Sequence, residues 1–181
     1  MRVDIENTIA LVIDYQEKLV PVMHEKTELM KNTTILLSGL KELEVPMCVT
    51  QQYTKGLGET VDEVWQSMGC DSIHTREHVE KIRFSAYQDI KDKISEKKYV
   101  IVCGIEAHIC VLQTVIDLAA AGFTPVLVVD CISSRNERDV EYAIQRGKME
   151  GAILTTYESI LFELLEVAGT QKSKKIQKII K

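Results

Sequence analysis

No stretch of this chain stays apolar for the ~20 residues that a bilayer crossing takes, so no membrane span is expected. Its first 25 residues carry Asp4, Glu6, Asp14 and Glu17 and have no cationic segment leading into an apolar one, which excludes the pattern of a secretion signal. Basic residues are also short: 22 Lys and Arg stand against 27 Asp and Glu, for a net charge of −5. With no basic stripe interleaved with aromatics, nucleic acid is not expected as a partner. Five cysteines, at 48, 70, 103, 110 and 131, are an odd number without paired spacing. They read as reduced thiols in a cytoplasm rather than as a disulfide framework. Neither G-x-G-x-x-G nor G-x-x-x-x-G-K-[ST] occurs, so a dinucleotide or nucleoside triphosphate site lacks its usual signature.

What the chain does have is alternation. Apolar runs of strand length occur at Thr8–Asp14, Pro46–Gln52, Tyr99–Cys103, Thr124–Asp130 and Ala152–Thr156, and a further strand is expected near His78–Ile82. Between them lie helical patterns at Leu29–Leu43, Val61–Met68, Tyr87–Ile94, His108–Ala121, Glu137–Met149 and Tyr157–Ala168. Gly56–Gly58 reads as a loop, and Gly104 as a strand breaker. The segment 170–181, with five lysines, reads as an extension of the last helix or a frayed basic tail. Strands apolar throughout and alternating with helices predict an α/β fold of three layers, α/β/α, around a parallel sheet. At 181 residues the chain is expected to be a single domain that buries roughly 70% of its unfolded surface.

Ligands in such folds bind beyond the carboxyl ends of the strands, where strand order reverses. Two of those ends carry reactive groups. Asp14 closes the first strand, and Cys110 falls in the first turn of the helix that follows Tyr99–Cys103. Unpaired N–H groups and the helix dipole there favour thiolate over thiol. A buried structural cysteine is the plain alternative. Lys81 ends the third strand beside Arg83 and Phe84; taken alone it is an ordinary strand-edge lysine.

The run Gly104-Ile105-Glu106-Ala107-His108-Ile109-Cys110-Val111-Leu112-Gln113-Thr114 resembles the nucleophile segment of the isochorismatase-like cysteine hydrolases. Lys81-x-Arg-Phe-Ser-Ala-Tyr is similar to their lysine motif, and Val12-Ile13-Asp14-Tyr15-Gln16 to their first-strand aspartate motif. Thr50-Gln51-Gln52-Tyr53 and Val129–Arg135 resemble a subgroup of undefined substrate. The resemblance implies a doubly wound, Rossmann-like sheet of six parallel strands in the order 3-2-1-4-5-6. It implies a catalytic triad of Asp14, Lys81 and Cys110, and a cis peptide between Ile105 and Glu106 that helps shape an oxyanion hole. Hydrolysis of a small amide-like molecule through an acyl-enzyme is the activity it implies, in a homo-oligomer (dimer or tetramer) without a cofactor. Gln16, Tyr53 and Phe84 are expected at the substrate.

Nicotinamidase members carry an Asp and several His after the second strand that hold a metal. Here Thr50-Gln51-Gln52-Tyr53 contains neither, so no metal is expected. Isochorismatases proper lack the nucleophilic cysteine, so Cys110 favours acyl transfer over vinyl ether cleavage. His74-Thr75-Arg76-Glu77-His78 fits the zinc pattern H-x-x-E-H, but such a site needs a third ligand from a partner element and a helix long enough to hold the pair. The cationic Lys81 and Arg83 also follow closely, so exposed histidines on a connection are expected. His108, two residues from Cys110 at a helix start, should point about 200° away and not act as the base. A binding or scaffold protein, and a redox-sensing thiol that meets peroxide, are the readings from other classes. Neither needs Asp14 and Lys81 together.

Overall fold

A computed structural model describes residues 2–181. Its strands are β1 (Thr8–Ile13), β2 (Met47–Gln52), β3 (His78–Lys81), β4 (Tyr99–Ile105), β5 (Thr124–Ser133) and β6 (Ile153–Thr155). They form one sheet in the order β3-β2-β1-β4-β5-β6, every pair parallel, as the resemblance implies. The helices are α1 (Lys26–Glu42), α2 (Thr54–Leu57), α3 (Asp62–Ser67), α4 (Tyr87–Ile94), α5 (Leu112–Ala120), α6 (Glu137–Met149), α7 (Tyr157–Leu165) and α8 (Gln171–Ile180). No helix among the described residues is long and apolar enough to cross a membrane.

The period-2 alternation of a strand sorts the buried side chains into two cores. Ala10 and Val12 of β1, with Tyr99, Ile101 and Cys103 of β4, face Leu36, Leu37 and Leu40 of α1, Trp65 of α3, Ile160 and Leu161 of α7 and Ile176 of α8. Ile9, Leu11 and Ile13, with Val100 and Val102, face Ile90 of α4, Val115 and Leu118 of α5 and Ala143 of α6. Both faces of the sheet are thus covered, which is why its central strands are apolar at every position. Each fully buried Leu or Ile contributes roughly 1.5–3 kcal/mol.

Several sequence expectations change. Gly56, expected in a loop, falls in the short helix α2. The strand expected to stop at Cys103 runs on through Gly104 to Ile105. Gly104 has φ +145°, and a Cβ there would lie 2.4 Å from the carbonyl oxygen of Ile13. The glycine therefore serves close approach of β1 and β4 rather than a break. The helix expected from His108 begins instead as a π turn at Ala107–Val111, and α5 follows only at Leu112. The tail neither extends α7 nor frays. Gly169 (φ +83°) separates it, and Thr170 caps α8 by accepting from the N–H of Ser173. Ile176 buries completely, while Lys172 and Lys175 pair with Glu44 and Glu42.

The register of β4 and β5 slips beyond Val102–Leu127, so that Gly104 next pairs with Ile132. The extra residues on β5 form a bulge. It sends Asp130 to accept from the N–H of Tyr157 at the start of α7, and it brings Ser134 and Arg135 up to the π turn.

Candidate active site

Asp14, Gln52, Lys81 and Cys110 come from four elements, β1, β2, β3 and the turn after β4, which are neighbours in the sheet. Parallel strands all end on the same side, so residues far apart in sequence meet at those ends. The reversal of strand order between β1 and β4 opens the crevice there.

Asp14 stands one residue beyond β1 with φ +54°, a backbone conformation uncommon for a residue with a side chain. Its carboxylate is fully buried. Oδ1 accepts from Thr50 Oγ1 at 2.7 Å, and Oδ2 lies 2.6 Å from Lys81 Nζ. The lysine is as deeply buried, and it donates to Gln52 Oε1 at 2.7 Å and to the Phe84 carbonyl at 2.9 Å, with the Arg83 carbonyl at 3.4 Å. The contact with Asp14 Oδ2 is the shortest of these, a charge-assisted pair buried on both sides. A buried pair held by this many groups is not a strand-edge lysine in solvent.

Cys110 Sγ sits in the π turn, 4.0 Å from the same Gln52 Oε1. Its carbonyl accepts from Thr114 Oγ1 at 2.6 Å, and that hydroxyl also receives the N–H of Ala86, tying the turn to the start of α4. Burial pushes the Cys110 thiol up to about 12; the charge of Asp14 adds to the rise and that of Lys81 opposes it. The expected resting thiolate is thereby corrected. A helix start favours the anion, but loss of solvent and a facing carboxylate outweigh it. The peptide between Ile105 and Glu106 is cis, as the resemblance implies. Among the described residues, no acceptor outside this turn takes the backbone N–H of Glu106 or of Cys110. The Glu106 carboxylate accepts from both the backbone N–H and Nε of Arg135, at 3.2 and 3.0 Å.

The other expected residues divide. Tyr53 and Phe84 are half-exposed and border the lysine: the N–H of Tyr53 donates to the Lys81 carbonyl, and the carbonyl of Phe84 receives Nζ. Gln16 does not fit a substrate contact. It is fully buried, its Nε2 donates to the carbonyls of Gln52 and Gly58, and its Oε1 receives the N–H of Gln52. Its amide is therefore fully engaged in holding the end of β2. His108 turns to Ser134 Oγ at 2.8 Å, with Asp139 at 3.9 Å. His74 lies in a 3-10 turn and His78 begins β3, so the two do not share a helix face. Trp65 packs in the core.

Gln52 is the member that the sequence did not single out. A glutamine at a strand end has no local signature, and only its partners from three other elements reveal it.

An Isochorismatase domain matches residues 8–159. Isochorismatase domain-containing protein 2A of Mus musculus is 36% identical over 97% of this chain and 84% of its own length. The secreted isochorismatase effector Isc1 of Phytophthora sojae is 32% identical, covering 97% and 85%. Among solved structures, the MAR1 ribonuclease of Caenorhabditis elegans superposes with a TM-score of 0.91 at 34% identity, covering 99% of this chain and 92% of that one.

Proposed function

This chain belongs to the isochorismatase family, and on that premise we propose that it hydrolyses the C–N bond of a small amide-like substrate through Cys110. The observation that carries the reading is the buried carboxylate of Asp14, 2.6 Å from the Lys81 ammonium and beside the neutral thiol of Cys110. An acceptor so placed is a proton acceptor in waiting.

In the proposed sequence Asp14 takes the Cys110 proton on Oδ2 as sulfur attacks the carbonyl carbon. The positive charge of Lys81 steadies the carboxylate before transfer and the growing thiolate during it. The N–H groups of Glu106 and Cys110 receive the oxyanion. The C–N bond breaks, the leaving amine takes the proton back from Asp14, and a thioester remains on Cys110. Asp14 then removes a proton from water, whose oxygen attacks the thioester and releases the acid and the thiol. Tyr53 and Phe84 flank the substrate. No step calls on a metal or cofactor. A homo-oligomer, dimer or tetramer, belongs to the same proposal.

The test is ammonia release from a panel of small amides, ureides and carbamoyl compounds, with Cys110→Ala as the blank and intact-protein mass spectrometry during turnover. Turnover with a transient adduct on Cys110 is the expected result. Turnover unchanged in Cys110→Ala, or an adduct on another cysteine, overturns it. A labelled RNA cut by this chain and not by Cys110→Ala would replace the amide with the substrate named for the C. elegans relative; a net charge of −5 disfavours that outcome.

A further inference from the structure

Gln52 is held at both its backbone and its side chain. Its N–H and carbonyl are taken by the Gln16 amide, and its own Nε2 donates to the Ile82 carbonyl at 2.8 Å. With Nε2 so engaged, the orientation of the amide is set and Oε1 must face inward. There it meets two donors at once, Lys81 Nζ at 2.7 Å and Cys110 Sγ at 4.0 Å.

We propose that Gln52 is a positioning residue that sets the protonation of the nucleophile: its Oε1 accepts the thiol hydrogen of resting Cys110 and takes one ammonium hydrogen of Lys81. This rests on the reading of Cys110 as nucleophile. Two effects act in one direction. The negative end of the amide dipole faces sulfur and disfavours the anion. The same oxygen takes a Lys81 hydrogen that would otherwise be free to reach the sulfur. The charged groups facing Cys110 are Asp14 from the end of β1 and Lys81 from the end of β3. Gln52 from β2 and Thr114 from α5 are neutral, and His108 of the same turn is engaged by Ser134. Substrate entry then has a defined task, to release the thiol hydrogen from Oε1 so that it passes to the carboxylate of Asp14.

The experiment is the pH dependence of Cys110 alkylation by iodoacetamide, followed on its own peptide by mass spectrometry. It needs no substrate, so it stands or falls separately from the amide reading. Gln52→Leu removes the acceptor and should lower the midpoint by about one pH unit. Gln52→Glu keeps the shape, keeps Lys81 and brings a negative charge to sulfur, and should raise the midpoint by a similar amount. A side chain that merely packs would move neither midpoint, or both the same way, and either result overturns the proposal. Should the leucine variant fail to fold, the glutamate variant decides: an unmoved or lowered midpoint rejects the assignment.

Discussion

Asp14 and Lys81 approach to 2.6 Å with neither side chain exposed, the shortest of the contacts that hold the ammonium. Gln52 and the carbonyls after β3 hold the lysine from its other side. The pair is therefore fixed by groups from three strands.

Breaking it from one side should be costly. Lys81→Met leaves a carboxylate buried without its counter-charge, at about 3–5 kcal/mol. Asp14→Asn with Lys81→Met removes both charges and should regain much of that loss, while turnover stays down by at least ~10²-fold in each. Urea denaturation and turnover of Lys81→Met and of the double variant measure this. A single mutant as stable as the parent would show that the contact carries no weight in the fold.

Alkaline solution should weaken the protein. Burial holds the thiols of Cys103 and Cys110 up to about 12, against 9.0 for an unperturbed cysteine. Above about pH 9 the unfolded chain gives up protons that the native state retains. The stabilisation is complete below that value and drains away as pH rises towards 12. Cys110→Ala removes one such proton, so its urea midpoint should fall less steeply between pH 8 and 10.5. Parallel slopes would contradict this.

The terminal helix should matter through its apolar face. Ile176→Ala empties a fully buried site and should cost about 2–5 kcal/mol. Lys172→Ala and Lys175→Ala break exposed pairs and should change the denaturation midpoint far less. Equal effects from all three would mean that charge, not burial, seats the helix.

Much of the architecture is legible locally, because burial on two faces forces apolar runs and leaves little else for β1, β2 and β4 to be. The limits of tail and turn are less so. α1 begins at Lys26, ahead of its first buried leucine, since its first turn faces solvent and carries no apolar mark. Gly104 misleads for a similar reason: the rule that glycine ends a strand knows nothing of the Ile13 carbonyl across the ladder. At the site, motif resemblance names Asp14, Lys81 and Cys110. Neither the ionisation of Cys110 nor the different fates of Gln16 and Gln52 can be read that way. Those depend on which donors reach a given oxygen, and the donors come from elsewhere in the chain.

The seam between β1 and β4 has a consequence for how the molecule is made. Residues 8–81 supply β1, β2 and β3, and residues 99–155 supply β4, β5 and β6, each set contiguous in the chain and in the sheet. Within a set, neighbours are close in sequence. Joining the sets pairs Thr8 with Tyr99 and closes a loop of ~90 residues, the kind of contact that slows folding. Asp14 and Lys81 belong to the first set and Cys110 to the second. A growing chain thus carries the carboxylate and its cation before the sulfur exists, and the three meet only when the halves dock.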